Sequence, residues 1–319
     1  MSTLRQNDYE ATRPWIDLDA PDVRAYAARV SDNIGFDLEK KLTEWHERGV
    51  VTFEKVVDTT LIDALLNDVE YLRKHHRDFE LTAENRGVQK PIVEFTEDEL
   101  DSSGIKFDSI HTISRAAARL SLTPAVAAFL RHVFRSPPCT LQSLTFYRGS
   151  QQPAHIDYPY VRCQTRLAEL AASWIPLEDI HPDSGPLAYY PGSHHPDISG
   201  YFDWGQGSIV MEPDSDRTPM EFAEYLWGRV KDTRTPPEVF LPKKGDALVW
   251  HGNLIHEGTA IKNVKLTRKS YVTHYTSFDS YPLAHKRPDG SGIAENGGFA
   301  FDYPWLNPQR RKLPSETAI

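Results

Sequence analysis

The spacing of apolar residues predicts helices in the first part of the chain. Residues 37–48 form an amphipathic segment that ends at Gly49, and residues 115–134 form a further helical stretch that breaks near Pro124. Between them, residues 58–76 carry an apolar face at helical spacing. The positions of that face are Leu61, Leu65, Leu66, Val69 and Leu72.

From about residue 139 the pattern changes to short apolar or aromatic runs that are separated by turn residues. These runs include TLQSLTFY, ASWIPL, LAYYPGSHH, ALVW and RKSYVTHY. Many short strands at close spacing are typical of an antiparallel barrel or a jelly roll. Upstream of them, residues 50–57 predict another strand, whereas residues 82–110, which are rich in charges and turn residues, predict a long loop.

Helices followed by many strands predict an α+β fold, namely a double-stranded β-helix of the jelly-roll or cupin type with N-terminal helices on one side. We expect all 319 residues to form one domain. Its predicted parts are an arm (1–36), a mainly helical flank (37–135), a core (136–280) with an insertion at about 196–235, and a C-terminal extension (281–319). The loop at 82–110 and the insertion, with Tyr201, Phe202 and Trp204, are expected to shape a pocket as lids.

Composition disfavours several classes of protein. A net charge of −9 disfavours a general affinity for nucleic acid or for an anionic membrane. Two cysteines, Cys139 and Cys163, are too few for a disulfide framework or for a thiolate metal site. The first residues lack the apolar stretch of a secretory signal, and no apolar run is long enough to cross a bilayer. We therefore expect a cytoplasmic monomer or homodimer that acts on a small molecule.

Two segments supply residue types that bind metal ions. In AHIDYPY, His155 and Asp157 are two residues apart, so in an extended chain they point to the same side and can reach one ion. The segment GDALVWHGNLIHEG offers a further imidazole from either His251 or His256. Two histidines and one carboxylate that leave one face of the metal open are diagnostic of non-haem Fe(II) oxygenases.

A third segment, LTRKSYVTHY, provides a receptor for a carboxylate. Arg268 and Ser270 are two residues apart in a strand-like run, so they also share a side. A guanidinium binds a carboxylate through two parallel hydrogen bonds. Because 2-oxoglutarate chelates iron at one end and presents a carboxylate at the other, the segments together predict an enzyme that uses Fe(II), 2-oxoglutarate and O₂.

From about Gln142 to Tyr275 the chain resembles the phytanoyl-CoA dioxygenase family of Fe(II)/2-oxoglutarate-dependent oxygenases. The resemblance is carried, in family order, by QSLTFYRGSQQPAHID, SWIPLEDIHPDSGPLAYYPGSHH, GDALVWHGNLIHEG and TRKSYVTHY. It implies an iron site of His155, Asp157 and His256, since the spacing to the arginine favours His256 over His251. The co-substrate residues that it implies are Arg268, Trp174, Gln142 and Ser270. Ile156 and Gly258 depart from the family pattern, which often has glutamine and a small hydroxyl residue there.

The reaction that this resemblance implies is hydroxylation of an unactivated C–H bond in a small or medium metabolite, with conversion of 2-oxoglutarate and O₂ to succinate and CO₂. Asp157 favours hydroxylation, desaturation or ring formation over halogenation, because related halogenases lack this carboxylate. Two other hypotheses remain open. One is a cupin-type metal-dependent isomerase or hydrolase, which would not need Arg268, and the other is a jelly-roll protein that binds a ligand without catalysis.

Overall fold

The computed structural model describes residues 10–30, 34–161, 163, 165–195, 218–286 and 292–318. Within these ranges the α-helices are α1 (Val23–Ala27), α2 (Leu38–Arg48), α3 (Thr59–Lys74), α4 (Glu97–Leu100), α5 (Arg115–Ser121), α6 (Pro124–Phe134), α7 (Pro219–Thr233) and α8 (Ser315–Ala318). The three helical stretches predicted from apolar spacing are confirmed, and the third breaks before Pro124. Asp37 and Asp58 begin α2 and α3, because each carboxylate accepts a hydrogen bond from a backbone N–H that the helix leaves unpaired.

The strands form two sheets. They are β1 (Val50–Phe53), β2 (Thr82–Asn85), β3 (Val88–Pro91), β4 (Ile105–Asp108), β5 (Pro138–Phe146), β6 (Ala171–Pro176), β7 (Leu187–Tyr189), β8 (Glu238–Val239), β9 (Ala247–His251), β10 (His256–Gly258), β11 (Ser270–Ser277), β12 (Gly292–Glu295) and β13 (Gly298–Phe301). The larger sheet runs in the order β1-β9-β6-β11-β5-β4-β2-β3, and the β12-β13 hairpin joins it at β5. The smaller sheet is β10-β7-β8.

Each face of the larger sheet has its own apolar cluster. One cluster lies between the sheet and the helices and includes Trp45, Leu65 and Phe129. The other joins the two sheets and includes Trp174 and Leu187. Successive residues of a strand point to opposite faces, so β1, β6, β9 and β11 each contribute residues to both clusters. This arrangement confirms the predicted α+β jelly roll with helices on one side.

The prediction of a long loop over residues 82–110 is wrong, because this segment folds into β2, β3, α4 and β4. Strands β2 and β3 form a hairpin whose two turn residues, Arg86 and Gly87, both have positive φ angles of 51° and 86°. Such a turn matches the twist of the strands that it joins. Ile105 and Phe107 of β4 are fully buried, so the packing of alternate residues stabilises the added strands against β5.

Strands β1 to β4 lie within the predicted helical flank, yet they belong to the same sheet as the core strands. The division into arm, flank, core and extension stays a prediction. The described part of the predicted insertion contains α7, whereas Tyr201, Phe202 and Trp204 lie outside the described residues. Among the described helices, none combines the length and apolar character needed to cross a membrane.

Candidate metal centre

Backbone pairing brings two distant segments together at one end of the jelly roll. His155 and His256 form an antiparallel bridge in which each N–H donates to the other residue's carbonyl at 3.0 Å. The N–H of Asp157 donates to the carbonyl of Gly252 at 2.9 Å. Because these bonds fix the register, the side chains of His155, Asp157 and His256 converge, and their ligand atoms all lie within 4.8 Å of one another.

Both imidazoles are held with Nε2 turned towards the common centre. The Nδ1 atom of His155 lies 2.9 Å from the carbonyl of Pro153, and Nδ1 of His256 lies 2.9 Å from the carbonyl of Leu254. A carbonyl only accepts hydrogen bonds, so we assign the proton of each neutral ring to Nδ1. Nε2 then presents a lone pair, which is the form that binds a metal ion.

The carboxylate of Asp157 is oriented by a tryptophan. Trp250 donates from Nε1 to Oδ2 at 2.8 Å, which leaves Oδ1 facing the imidazoles. Oδ1 lies 3.5 Å from Nε2 of His256 and 4.0 Å from Nε2 of His155. Trp250 was not among the residues that we predicted for the site, although it ends the apolar run ALVW directly before His251.

The pKa shifts of His155 and Asp157 favour the protonation states that a divalent cation requires. Burial lowers the pKa of His155 to about 3, and the neighbouring His256 imidazole adds to this effect. Burial opposes the charged form of Asp157, but the surrounding imidazoles, with His256 first, hold its pKa below the ordinary value. A neutral imidazole beside a charged carboxylate is the state that a metal ion requires of its ligands.

Arg268 lies in the same cavity, which has a volume of about 610 Å³. It is 2% exposed, its Nε has no hydrogen-bond partner, and among the described residues no carboxylate lies within ion-pair distance of the guanidinium. The guanidinium lies 5.3 Å from the Phe146 ring centre and 5.7 Å from that of Trp174. Burial lowers the pKa of Arg268 to about 10, so it is still charged near neutral pH. A buried, unpaired cation fits an anion that enters the cavity.

The other predicted co-substrate residues have different positions. Trp174 and Gln142 line the cavity together with the metal-binding candidates. Ser270 is fully buried, and its Oγ has no hydrogen-bond partner, but it is not part of the described cavity wall. The assignment of Gln142, Trp174 and Ser270 to co-substrate binding stays a prediction.

The cavity has an apolar wall and a polar wall. Leu187, Val272 and the rings of Phe146 and Trp174 surround Arg268. The polar wall comes from the β2–β4 extension and from the segment before His155. Its side chains are Glu84, Arg86, Gln89, Lys106, Gln151 and Gln152.

His251 is separated from this cavity, although it is only five residues from His256 in the printed sequence. Its Nε2 lies 3.1 Å from Oδ2 of Asp17, and its Nδ1 accepts a hydrogen bond from the N–H of Asn253. Both ring nitrogens are therefore engaged within the fold. Of the two histidines in this segment, the structure brings His256 to the centre.

Gly258 stands where a small hydroxyl residue is common, and the structure gives a steric reason for glycine. A Cβ atom at this position would lie 2.5 Å from Oγ of Ser150 and 2.9 Å from the backbone N of Gln151. Real Cβ atoms do not approach neighbouring atoms so closely. A hydroxyl side chain therefore has no room here while the segment 150–152 keeps its position.

Sequence comparison finds one family. The model of the phytanoyl-CoA dioxygenase (PhyH) family matches residues 45–270. Phytanoyl-CoA dioxygenase domain-containing protein 1 from Danio rerio is 26% identical over 173 residues, which are 52% of this chain and 54% of the relative. The chain thus matches about half the length of this curated relative.

Solved structures share the fold at low sequence identity. EctD from S. alaskensis, solved with 2-oxoglutarate and 5-hydroxyectoine, is 17% identical with a TM-score of 0.56, and the match covers 84% of each chain. The epimerase SnoN, solved with Fe³⁺, alpha ketoglutarate and nogalamycin RO, is 17% identical with a TM-score of 0.54. That match covers 86% of this chain and 97% of SnoN.

Proposed function

The chain belongs to the phytanoyl-CoA dioxygenase family of Fe(II)/2-oxoglutarate-dependent oxygenases, and from this premise we propose that it hydroxylates an unactivated C–H bond of a small or medium polar metabolite. One observation carries the proposal. A His-Asp-His group with convergent ligand atoms shares a cavity with a buried guanidinium that has no anionic partner in the part of the chain that the structure describes.

The side chains fit the metal and the co-substrate that this activity needs. Nε2 of His155, Oδ1 of Asp157 and Nε2 of His256 would hold Fe(II), because two imidazoles and one carboxylate are the typical ligands of non-haem iron oxygenases. When bound, iron and 2-oxoglutarate supply the oxidising chemistry, in which O₂ is consumed and 2-oxoglutarate becomes succinate and CO₂.

Arg268 would bind the carboxylate of 2-oxoglutarate that is remote from the metal. A charge-assisted hydrogen bond is stronger in a dry site than in water, and the rings of Phe146 and Trp174 exclude water from the guanidinium. The guanidinium also sets the orientation of the co-substrate, since its planar donors match a carboxylate. The protein thereby positions the reactants and shields them from solvent.

The polar wall supports a polar substrate. Lys106 donates to Glu84 at 2.9 Å on this wall, and Gln89 donates to Asp108 at 3.2 Å. A hydrocarbon chain placed there would leave these groups without the water that solvates them, which costs free energy. A molecule with hydroxyl, amide or charged groups replaces that water with direct hydrogen bonds.

Location and oligomeric state stay predictions. Cys139 and Cys163 are both free and buried, which is compatible with the reducing cytoplasm that we propose. A monomer and a homodimer are equally compatible with the described residues.

The first experiment measures formation of the iron–co-substrate complex. The purified protein is mixed anaerobically with Fe(II) and 2-oxoglutarate, and we expect a weak visible charge-transfer band. Oxygen is then admitted and succinate is measured. His256→Gln should abolish both signals. His251→Gln is the matched control, because His251 comes from the same segment but contacts Asp17 instead of the cavity.

Each alternative hypothesis has its own outcome. Turnover of a substrate that needs a metal but no 2-oxoglutarate would favour the cupin-type isomerase or hydrolase. Binding of a small molecule with neither the band nor succinate would favour a non-catalytic jelly-roll protein. If the wild-type protein forms the band, a metabolite screen for substrate-stimulated succinate release identifies the substrate class.

A further inference from the structure

His274 lies beside Asp157 in a position that the sequence motifs do not explain. It belongs to the inner face of β11, and 4% of its side chain is exposed. Its Nε2 lies 3.5 Å from Oδ1 of Asp157, slightly farther than the 2.7–3.2 Å that is usual for an N–H···O hydrogen bond. The family match ends at residue 270, before this histidine.

The carboxylate of Asp157 therefore has an N–H donor at one oxygen and an imidazole at the other. Trp250 donates to Oδ2 at 2.8 Å, and His274 approaches Oδ1 from β11. Oδ1 is also the oxygen that faces His155 and His256. The two contacts together limit rotation of the carboxylate about its Cβ–Cγ bond.

The surroundings of His274 decide which ring nitrogen carries the useful proton. Nδ1 is buried and has no hydrogen-bond partner among the described residues. If the proton were on Nδ1, a buried N–H would have no acceptor, which costs free energy. If the proton is on Nε2, Nδ1 keeps only a lone pair and the N–H faces a carboxylate. The proton at Nε2 is the one that finds an acceptor, namely Oδ1 of Asp157.

His274 is a neighbour of the ligand group and not a member of it. Among the described residues, the group whose ligand atoms lie within 4.8 Å of one another consists of His155, Asp157 and His256. Nε2 of His274 lies 3.5 Å from Oδ1 of Asp157, and His274 is not part of that group. Its contribution therefore passes through Asp157.

A β-bulge accompanies this position. His274 pairs with Gln142 of β5 and with Ala172 of β6, but Tyr275 pairs with Thr140, so β5 contains one additional residue at Leu141. Bulges of this kind change the direction of nearby side chains and are frequent beside active sites. Here the irregularity lies directly next to the pair Gln142 and His274, both of which line the cavity.

We infer that His274 is a positioning residue that holds Asp157 in the orientation required for iron binding, with its Nε2–H donating to Oδ1. This inference rests on the proposed iron site. It predicts that loss of the donor weakens Fe(II) binding by about 10- to 100-fold, which is the usual effect of removing a hydrogen bond to a metal ligand.

The experiment compares two replacements of His274 in the full-length protein. His274→Phe keeps a ring but removes both nitrogens, and His274→Gln keeps an N–H donor at a similar distance from the backbone. Fe(II) alone is titrated anaerobically into each apo protein, without 2-oxoglutarate, and the dissociation constant is measured. Circular dichroism and urea unfolding establish that each variant is folded. If His274→Phe does not fold, His274→Asn, whose amide ends short of Oδ1, replaces it.

His111→Phe is the matched control. His111 is also a buried histidine, but its Nδ1 contacts Oγ of Ser143 and no metal-binding candidate. We expect wild-type affinity for Fe(II) in His111→Phe, a dissociation constant within about 3-fold of wild type in His274→Gln, and the full loss in His274→Phe.

Two results would overturn the inference. One is wild-type Fe(II) affinity in folded His274→Phe. The other is an equally weak affinity in folded His274→Gln, because the effect would then come from packing and not from the donor. If the wild-type protein itself binds no Fe(II), the proposed function fails, and this outcome is distinct from either result.

Discussion

Trp250 and Asp157 form a buried hydrogen bond between two distant parts of the chain, with Nε1 of the indole 2.8 Å from Oδ2 of the carboxylate. Trp250 belongs to β9, and Asp157 follows the bridge between His155 and His256. The bond fixes Oδ2 towards the indole, so Oδ1 is the oxygen that faces His155 and His256. A tryptophan on the core sheet therefore determines how the candidate ligand faces the site.

We predict that Trp250→Phe weakens Fe(II) binding by about 10- to 100-fold while the fold is retained. Phenylalanine fills most of the same space but cannot donate, so Asp157 loses its fixed orientation. An anaerobic Fe(II) titration measures the effect.

Trp227→Phe is the matched control for that experiment. Trp227 also donates to a carboxylate, Oε2 of Glu257, at 3.0 Å, but Glu257 is not one of the metal-binding candidates. Its Fe(II) affinity should equal that of the wild type. Equal losses in both variants would show that Trp250 acts through general stability.

We predict that Arg268→Met stabilises the protein in the absence of ligands and weakens its binding of 2-oxoglutarate. Methionine removes a buried charge that has no partner, which favours folding. A lost charge-assisted hydrogen bond costs about 1.5–3 kcal/mol, or roughly a 10- to 150-fold weaker binding. Urea unfolding measures the first effect, and a 2-oxoglutarate titration measures the second.

Arg310→Met should have the opposite effect on stability. Arg310 is also buried, but it donates to Asp302 at 2.8 Å and to the carbonyl of Thr112 at 2.6 Å. Its removal breaks both hydrogen bonds and leaves Asp302 with the more distant cation of Lys312, at 3.7 Å, so we expect the free energy of unfolding to fall by about 1.5–3 kcal/mol. A destabilised Arg268→Met would contradict the view that Arg268 is unpaired in the free protein.

We predict that Gly258→Ser lowers the free energy of unfolding by roughly 1–3 kcal/mol and does not improve binding of 2-oxoglutarate. The added Cβ would meet Oγ of Ser150 at 2.5 Å and backbone at 2.9 Å, so the segment at 150–152 must move. Urea unfolding and a 2-oxoglutarate titration test both parts.

Gly228→Ala provides the comparison for a glycine without such neighbours. Apart from the backbone of α7 itself, no atom of the described residues lies within 4 Å of the place where its Cβ would stand. Alanine there should raise the free energy of unfolding by about 0.5–1 kcal/mol, because glycine loses more conformational freedom in a helix. Tighter binding of 2-oxoglutarate by Gly258→Ser would contradict the prediction for Gly258, because it would show that the segment 150–152 moves easily to make room for the hydroxyl side chain.

We predict that the free energy of unfolding decreases as the pH is lowered below about 6.5, and that His111 causes part of this decrease. Burial lowers the pKa of His111 from 6.5 to about 3. Between these values the unfolded chain binds a proton that the folded protein excludes, so acid favours unfolding. His111→Gln should flatten the dependence of the free energy of unfolding on pH, as measured by urea unfolding at several pH values.

The control for the pH experiment is His181→Gln. The side chain of His181 is 54% exposed, so its imidazole meets water in both states. This variant should keep the pH dependence of the wild type. An unchanged dependence in folded His111→Gln would contradict the role assigned to burial.

The alternation of residues along extended segments carried much of the site prediction. It placed His155 with Asp157, and Arg268 with Ser270, on common sides before any tertiary contact was known. The same alternation extends from Arg268 through Val272 to His274, so the sequence contained a signal for His274 that the motif analysis did not use. This signal could not show which residue His274 contacts, because nothing in the sequence of β11 indicates that Asp157 lies opposite it.

The segment 82–110 shows a second kind of limit. Its charges and turn residues predicted a loop, but Arg86 and Gly87 form the tight turn of a hairpin. Short strands such as β2 and β3 have little apolar signal of their own. The pairing of β2 with β4 on one side and with β3 on the other supplies the hydrogen bonds that stabilise them, and in this arrangement they contribute to the polar wall of the cavity.

The sequence by itself determined the class of fold, the three long helical stretches, the candidate residues of the metal and co-substrate sites, and the family. These properties depend on local spacing and on side-chain chemistry. Only the tertiary structure decided that His256 reaches the centre while His251 contacts Asp17, that Trp250 and His274 contact Asp157, and that Arg268 has no anionic partner among the described residues. Such contacts join residues far apart in the chain, and they depend on strand register, which the burial of many side chains sets together.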